Sequence, residues 1–129
     1  MRQNVSTGSR FEEAYGYSRA VRVGDTVYVA GTVGIDRASG RVPEDPAEQY
    51  DNAIDIITGA LAEAGAGLAD VVQLTVYVAS AELFTEVVGP RLAATFGGIR
   101  PTNAALVVAF PWPEIKLEIQ SVAVIGAGG

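Results

Sequence analysis

Apolar residues recur along the chain at two periods, and the switches between them mark off strands from helices. In "AVRVGDTVYVAG" two β-branched and aromatic runs flank Gly24-Asp25, a two-residue hairpin signal, which predicts strands over about 19–23 and 26–31 after a polar lead-in. "DRASGRVPEDP" is a chain of turns that ends in a helix start: Asp45 as N-cap, Pro46 at the first helical position and Glu48 three residues after the cap. The helix runs to Ala64. Its residues Tyr50, Ala53, Ile54, Ile57, Ala60, Leu61 and Ala64 recur at helical spacing as one stripe, and Gly65 and Gly67 stop it. In "DVVQLTVYVAS" the set Val72, Leu74, Val76, Val78 alternates with Val71, Gln73, Thr75, Tyr77, which is the pattern of a strand.

A second helix fits "AELFTEVVGPRLAATF", broken or kinked at Gly89-Pro90 because proline has no backbone N–H to donate, and closed by Gly97-Gly98. The last third reads as a long hairpin, "NAALVVAF" and "IKLEIQSVAVI" about a Pro111-Trp112-Pro113 turn. The order is ββαβαββ, which argues an α+β layer with one sheet and both helices on one of its faces. The other face keeps Val71, Tyr77, Ala105, Val107, Val122 and Val124, and this bare apolar surface predicts an oligomer packed sheet against sheet.

Composition narrows the possible chemistry. The 129 residues, with 49% hydrophobic content and a mean hydropathy of +0.25, suit a single domain over 1–129. Nine Lys+Arg against 15 Asp+Glu give a net charge of −6, without the basic patch a phosphate backbone demands, so no nucleic-acid partner is expected. Cysteine and histidine are both absent, which removes disulfides, thiolate chemistry and the usual neutral-pH base. With no apolar signal segment and no long apolar run, a cytoplasmic protein without a membrane partner is expected, and the Asn4-Val5-Ser6 sequon is read as accidental. Phosphate-loop, dinucleotide, zinc-protease and serine-hydrolase motifs are missing, so neither a cofactor nor a metal is expected.

Catalysis must then rest on carboxylates, Tyr, Asn, Arg, one Lys or backbone groups. Glu118, between Leu117 and Ile119, is either a solvated strand residue or, in an intersubunit cleft, a desolvated carboxyl usable as acid or base. Asn103 after Pro101-Thr102 either closes its turn or offers an amide to a ligand. Arg100 is a loop charge that can reach the same lip. Tyr17 is a buried aromatic or a phenol at a pocket edge. In a hairpin about Trp112, Asn103 falls opposite Ser121 or Val122, on the order of 10 Å from Glu118.

"GYSRAVRVGDTVYVAGTVG", "AEQYDNAIDIITGALAEAGAGLADVVQLTVYV" and "RPTNAALVVA...KLEIQSVAV", in this order, resemble the YjgF/RidA family of reactive-intermediate imine deaminases, also labelled endoribonuclease L-PSP. The resemblance covers nearly the whole chain. It implies a chorismate-mutase-like fold, a homotrimer and three clefts between subunits. In deaminating members an Arg two residues after a Pro grips the substrate carboxylate, and a Glu fifteen positions later positions the attacking water. Here those positions are Asn103 and Glu118; Tyr17 matches the pocket tyrosine, Gly31 the cleft-lining glycine, and Ala105 stands where Cys is frequent. An Arg binds a carboxylate through two charge-assisted bonds, whereas Asn offers a neutral one worth about 0.5 to 1.5 kcal/mol. The expectation is a hydrolytic deaminase of a small imine or enamine other than the standard 2-imino acid, or one whose carboxylate is met by Arg100 or a neighbouring chain. The alternative is a non-catalytic trimeric module that binds a metabolite or a protein. A ribonuclease follows the family label alone, against the acidic charge and the missing histidine.

Overall fold

The computed structural model describes residues 1–129. Its elements are β1 (Arg2–Val5), α1 (Arg10–Tyr15), β2 (Ala20–Val23), β3 (Thr26–Thr32), α2 (Pro46–Glu63), β4 (Val71–Val78), a helical segment from Ala81 to Phe96 that we call α3, β5 (Thr102–Val107) and β6 (Leu117–Val124). The seven elements expected from the pattern are present, with β1 and α1 added before them. One six-stranded sheet has the order β1-β2-β3-β6-β4-β5; β4 and β5 run parallel, and every other pair is antiparallel.

The predicted C-terminal hairpin does not form. β5 pairs only with β4, and the backbone N–H of Val108 extends that ladder by donating to Val78. β6 instead inserts between β3 and β4. Composition explains the choice: Leu117, Ile119, Ser121 and Ala123 are buried and complete the face built by Val27, Val29, Leu74, Val76 and Val78, whereas all six residues of "TNAALV" are exposed. A central strand needs an apolar face; β5 has too little apolar bulk to serve as one.

α2 lies over β3 and β6, and its buried stripe joins the strand residues in one hydrophobic core. The stripe matches the expected one except that Ile54 is only partly buried, while Gln49 and Ile56 are buried. In α3, the disruption attributed to Gly89-Pro90 lies just before that pair: Phe84–Val88 forms a wide π-type turn, so the helix absorbs the missing proline N–H without ending. The register of β4 against β6 shifts between Val71 and Gln73. This bulge turns Val71 inward and leaves Val72 exposed, the reverse of the strict alternation predicted.

Ala105 and Val107 pair with Val76 and Val78 and so lie on the helix side of the sheet, not on its open face. Both are exposed nonetheless. The open face carries Tyr28, Tyr77, Gln120, Val122 and Leu106, with Tyr28 and Leu106 strongly exposed. No helix is long and apolar enough to cross a membrane.

Candidate active site

Glu118 is the second residue of central β6, paired with Tyr77 on β4. Its side chain turns to the open face and lies against Gly31 on β3, where the register of β3 and β6 shifts between Val29 and Thr32. A β-carbon on Gly31 would overlap the Glu118 carboxylate and force that side chain to shift, so glycine here lets the acid keep its present position. The carboxyl is half-buried. Burial pushes its pKa above the ordinary 4.5, and the positive charge of Arg19 holds back part of that rise.

A residue the sequence reading did not single out organises the rest. Arg19 is 5% exposed, and its guanidinium donates to the carbonyl of Gly31 (2.9 Å), the hydroxyls of Thr32 (2.8 Å) and Tyr17 (3.2 Å), and the carboxylate of Glu12 (3.4 Å). It also stands 5.4 Å from the centre of the Tyr17 ring. Glu12 is itself buried and accepts from Ser6 and Thr7. Burial alone would raise its pKa, but those hydrogen bonds and Arg19 carry it below 4.5.

Glu12 sits on α1, a helix with a legible signature: Ser9-Arg10-Phe11-Glu12 has the spacing of a capping box. Ser9 does cap, accepting from the backbone of Phe11, and Gly16 closes the helix in the left-handed region. Glu12 has been diverted from the cap to Arg19.

Gln49, wholly buried on α2, fixes the approach to β6. Its amide donates to the carbonyls of Pro43 (2.7 Å) and Glu114 (3.0 Å) and accepts from the backbone of Lys116 (3.0 Å), two residues before Glu118.

Glu118, Gly31, Tyr17 and Arg19 line a cleft of about 770 Å³ whose lining also includes Phe11, Tyr15 and Trp112. Trp112 meets Phe11 edge-on at 5.2 Å and Tyr15 at 6.3 Å. Asn103 and Arg100 do not line it. Asn103 on β5 pairs with Leu74 on β4, three residues from Tyr77, the partner of Glu118, and lies on the opposite face of the sheet from Glu118. Two strand spacings and that offset separate the two residues by roughly 14 Å. Arg100 is exposed before β5, its backbone in the left-handed region at φ 58° and its N–H bonded to Phe96 (2.8 Å). One protomer thus brings together three of the five residues named from sequence.

The fold and this arrangement define an α+β protein with a carboxylate-bearing cleft on the open sheet face, and comparison with known proteins gives it a family. The family model described as endoribonuclease L-PSP matches residues 7–125. A 2-iminobutanoate/2-iminopropanoate deaminase of Rattus norvegicus is 34% identical over 127 residues, covering 98% of this chain and 92% of that protein. A RutC family protein of Pyrococcus abyssi is 33% identical over 108 residues, 83% of this chain and 84% of its own. The crystal structure of a YjgF-family protein of Mycobacterium tuberculosis superposes with a TM-score of 0.86 at 43% identity, covering 97% of this chain and all of that one. The chain belongs to the YjgF/RidA family.

Proposed function

We propose that the protein is a hydrolytic deaminase of a small imine or enamine metabolite, working in clefts that a homotrimer completes. The observation that carries this reading is Glu118: a half-buried carboxyl with a raised pKa, facing a glycine in a cleft with a tyrosine hydroxyl nearby. As carboxylate it takes a proton from water while the oxygen attacks the imine carbon, and the C=N π electrons pass to nitrogen. The proton is returned to nitrogen to give the neutral carbinolamine. Glu118 then takes the carbinolamine hydroxyl proton and passes it to the amino nitrogen as the C–N bond breaks, so ammonia leaves while the C=O bond of the ketone forms; an enamine first tautomerises to its imine. Family relatives named as 2-iminobutanoate/2-iminopropanoate deaminases support the reaction class.

Asn103 argues for a substrate other than the standard 2-imino acid. In the trimer, β5 of one copy would lie beside the Glu118 cleft of the next and bring this neutral amide to a position where deaminating relatives present an Arg. Measured by ammonia release, wild type is expected to process 2-aminoacrylate and 2-iminobutanoate poorly. Asn103→Arg should raise kcat/KM roughly tenfold to a hundredfold, the worth of a charged bidentate contact. Glu118→Gln should abolish both activities. If Asn103→Arg folds and assembles yet gains nothing, and no imine yields ammonia, the alternative takes first place: a trimeric module that binds a metabolite or a protein without turnover.

A further inference from the structure

Three guanidinium groups line the Glu118 cleft, and only one is committed to the fold. Arg19 spends four of its five N–H donors on Glu12, Gly31, Thr32 and Tyr17 and is held by the fold. Arg10 and Arg37 are exposed and belong to no ion pair; the protein's ion pairs are Arg19–Glu12, Arg22–Asp25 and Arg91–Asp51. Arg10 makes one long hydrogen bond, 3.4 Å to the carbonyl of Gly40, and lies 4.7 Å over the ring of Phe11. Arg37 has no hydrogen-bond partner in the protein; it rides on the Asp36–Arg41 turn, which also contains Gly40, so both cations stand at one rim. In a chain of net charge −6, two unpaired cations sharing a cleft are a local reversal of sign.

Glu118 works against an anion near itself. A substrate carboxylate placed beside the reacting carbon would lie against a like charge, whereas at the Arg10–Arg37 rim it meets two free forks. Phe11, Tyr15 and Trp112 line the same cleft as the two cations and Glu118, and suit a flat apolar body. We propose that Arg10 and Arg37 form an anion subsite, and that the substrate is an imine or enamine with a planar, apolar body whose carboxylate is remote from the reacting carbon. The identification as substrate rests on the deaminase reading; the anion subsite stands without it.

Trp112 is the only tryptophan, so its fluorescence reports on this cleft alone. Wild-type protein, as it assembles in solution, is titrated with phenylacetate, phenylacetamide and acetate. Phenylacetate should perturb Trp112 saturably and bind at least about tenfold more tightly than either control, since the amide lacks the charge and acetate the ring. Arg10→Gln and Arg37→Gln should each weaken phenylacetate severalfold and leave phenylacetamide unchanged, with melting temperatures near wild type because both side chains are exposed. Glu118→Gln should retain phenylacetate binding. Equal affinity for acid and amide, indifference of the acid to both Arg substitutions, or loss of acid binding in Glu118→Gln would each overturn the subsite. If no imine releases ammonia while both Arg variants lose phenylacetate, the deaminase reading falls and the subsite stands. If ammonia release persists while both Arg variants bind phenylacetate like wild type, the converse holds.

Discussion

Arg19 and Glu118 are coupled without touching: one is a permanent charge sealed beneath β3, the other a carboxyl whose ionisation depends on it. Arg19→Gln removes the charge and strands Glu12, a buried carboxylate without its cation. Unfolding in urea should show a loss of about 3 kcal/mol, the usual consequence of breaking a buried pair from one side. Loss of packing alone would not move the Glu118 titration; loss of the charge should raise it further, as followed by carboxyl carbon NMR. An unmoved Glu118 would show that Arg19 acts only as a brace. The two acids themselves respond to pH in opposite senses. Glu118 has a folded pKa above 4.5, so its contribution to stability is present below 4.5 and is lost as pH rises through the folded value. Glu118→Gln should therefore be more stable than wild type at neutral pH, with the difference vanishing in acid. Glu12, lowered, stabilises above 4.5 and ceases to as pH falls through its folded value, so it belongs to acid unfolding. Denaturation midpoints across this range read both signs. Deaminase activity should rise with pH as Glu118 ionises, then level off.

Among the elements, those with a strong period were legible and those held by partners were not. α2, β2, β3, β4 and β6 lie where periodicity and caps place them; Glu118 and Tyr17, on or beside them, were candidates from the residues themselves, and Gly31 was named only by the family resemblance. β1 was missed because "RQNV" has one apolar residue, and its order comes from the ladder with β2. The strand partner of β5 was missed for a deeper reason: alternation fixes which residues share a face but not which strand lies alongside, and a turn signal at Pro111-Trp112-Pro113 favoured the nearest one. Arg19 was missed because an Arg in a run of alternating residues looks solvated until Glu12 folds over it. Gln49 is a similar case, a polar residue inside an apolar stripe whose three partners lie on the loop before its own helix and on the distant loop before β6. Gln49→Ala should cost about 3 kcal/mol, combining unsatisfied backbone groups with a cavity. Amide exchange should quicken around Lys116 more than in β1; uniform exchange would deny Gln49 its role as a pin.

For the molecule as a whole, the sheet presents more apolar surface than one chain covers. β5 is bare on both faces, with Leu106 44% and Val107 59% exposed, and Tyr28 is 53% exposed on the open face. The proposed trimer would bury this surface, and light scattering on a sizing column should find it at micromolar concentration. A double substitution, Leu106→Glu with Val107→Glu, should yield a folded monomer or a far weaker assembly; a persistent trimer would place the interface elsewhere. A stable wild-type monomer would remove the proposed completed cleft.

The position of β6 also sets a temporal order. The last strand made is a central one, and β3 and β4 become neighbours only through it. While the chain grows from its N-terminus, these two strands wait with open edges, and the pairing of β6 with both of them cannot yet exist. The nascent protein therefore has no functional half-state: Glu118 arrives on the strand that closes the sheet, so the acid is positioned in the same event that completes the fold. Until then the exposed edges of β3 and β4 invite pairing with other chains, which makes the interval before β6 inserts the period of greatest aggregation risk.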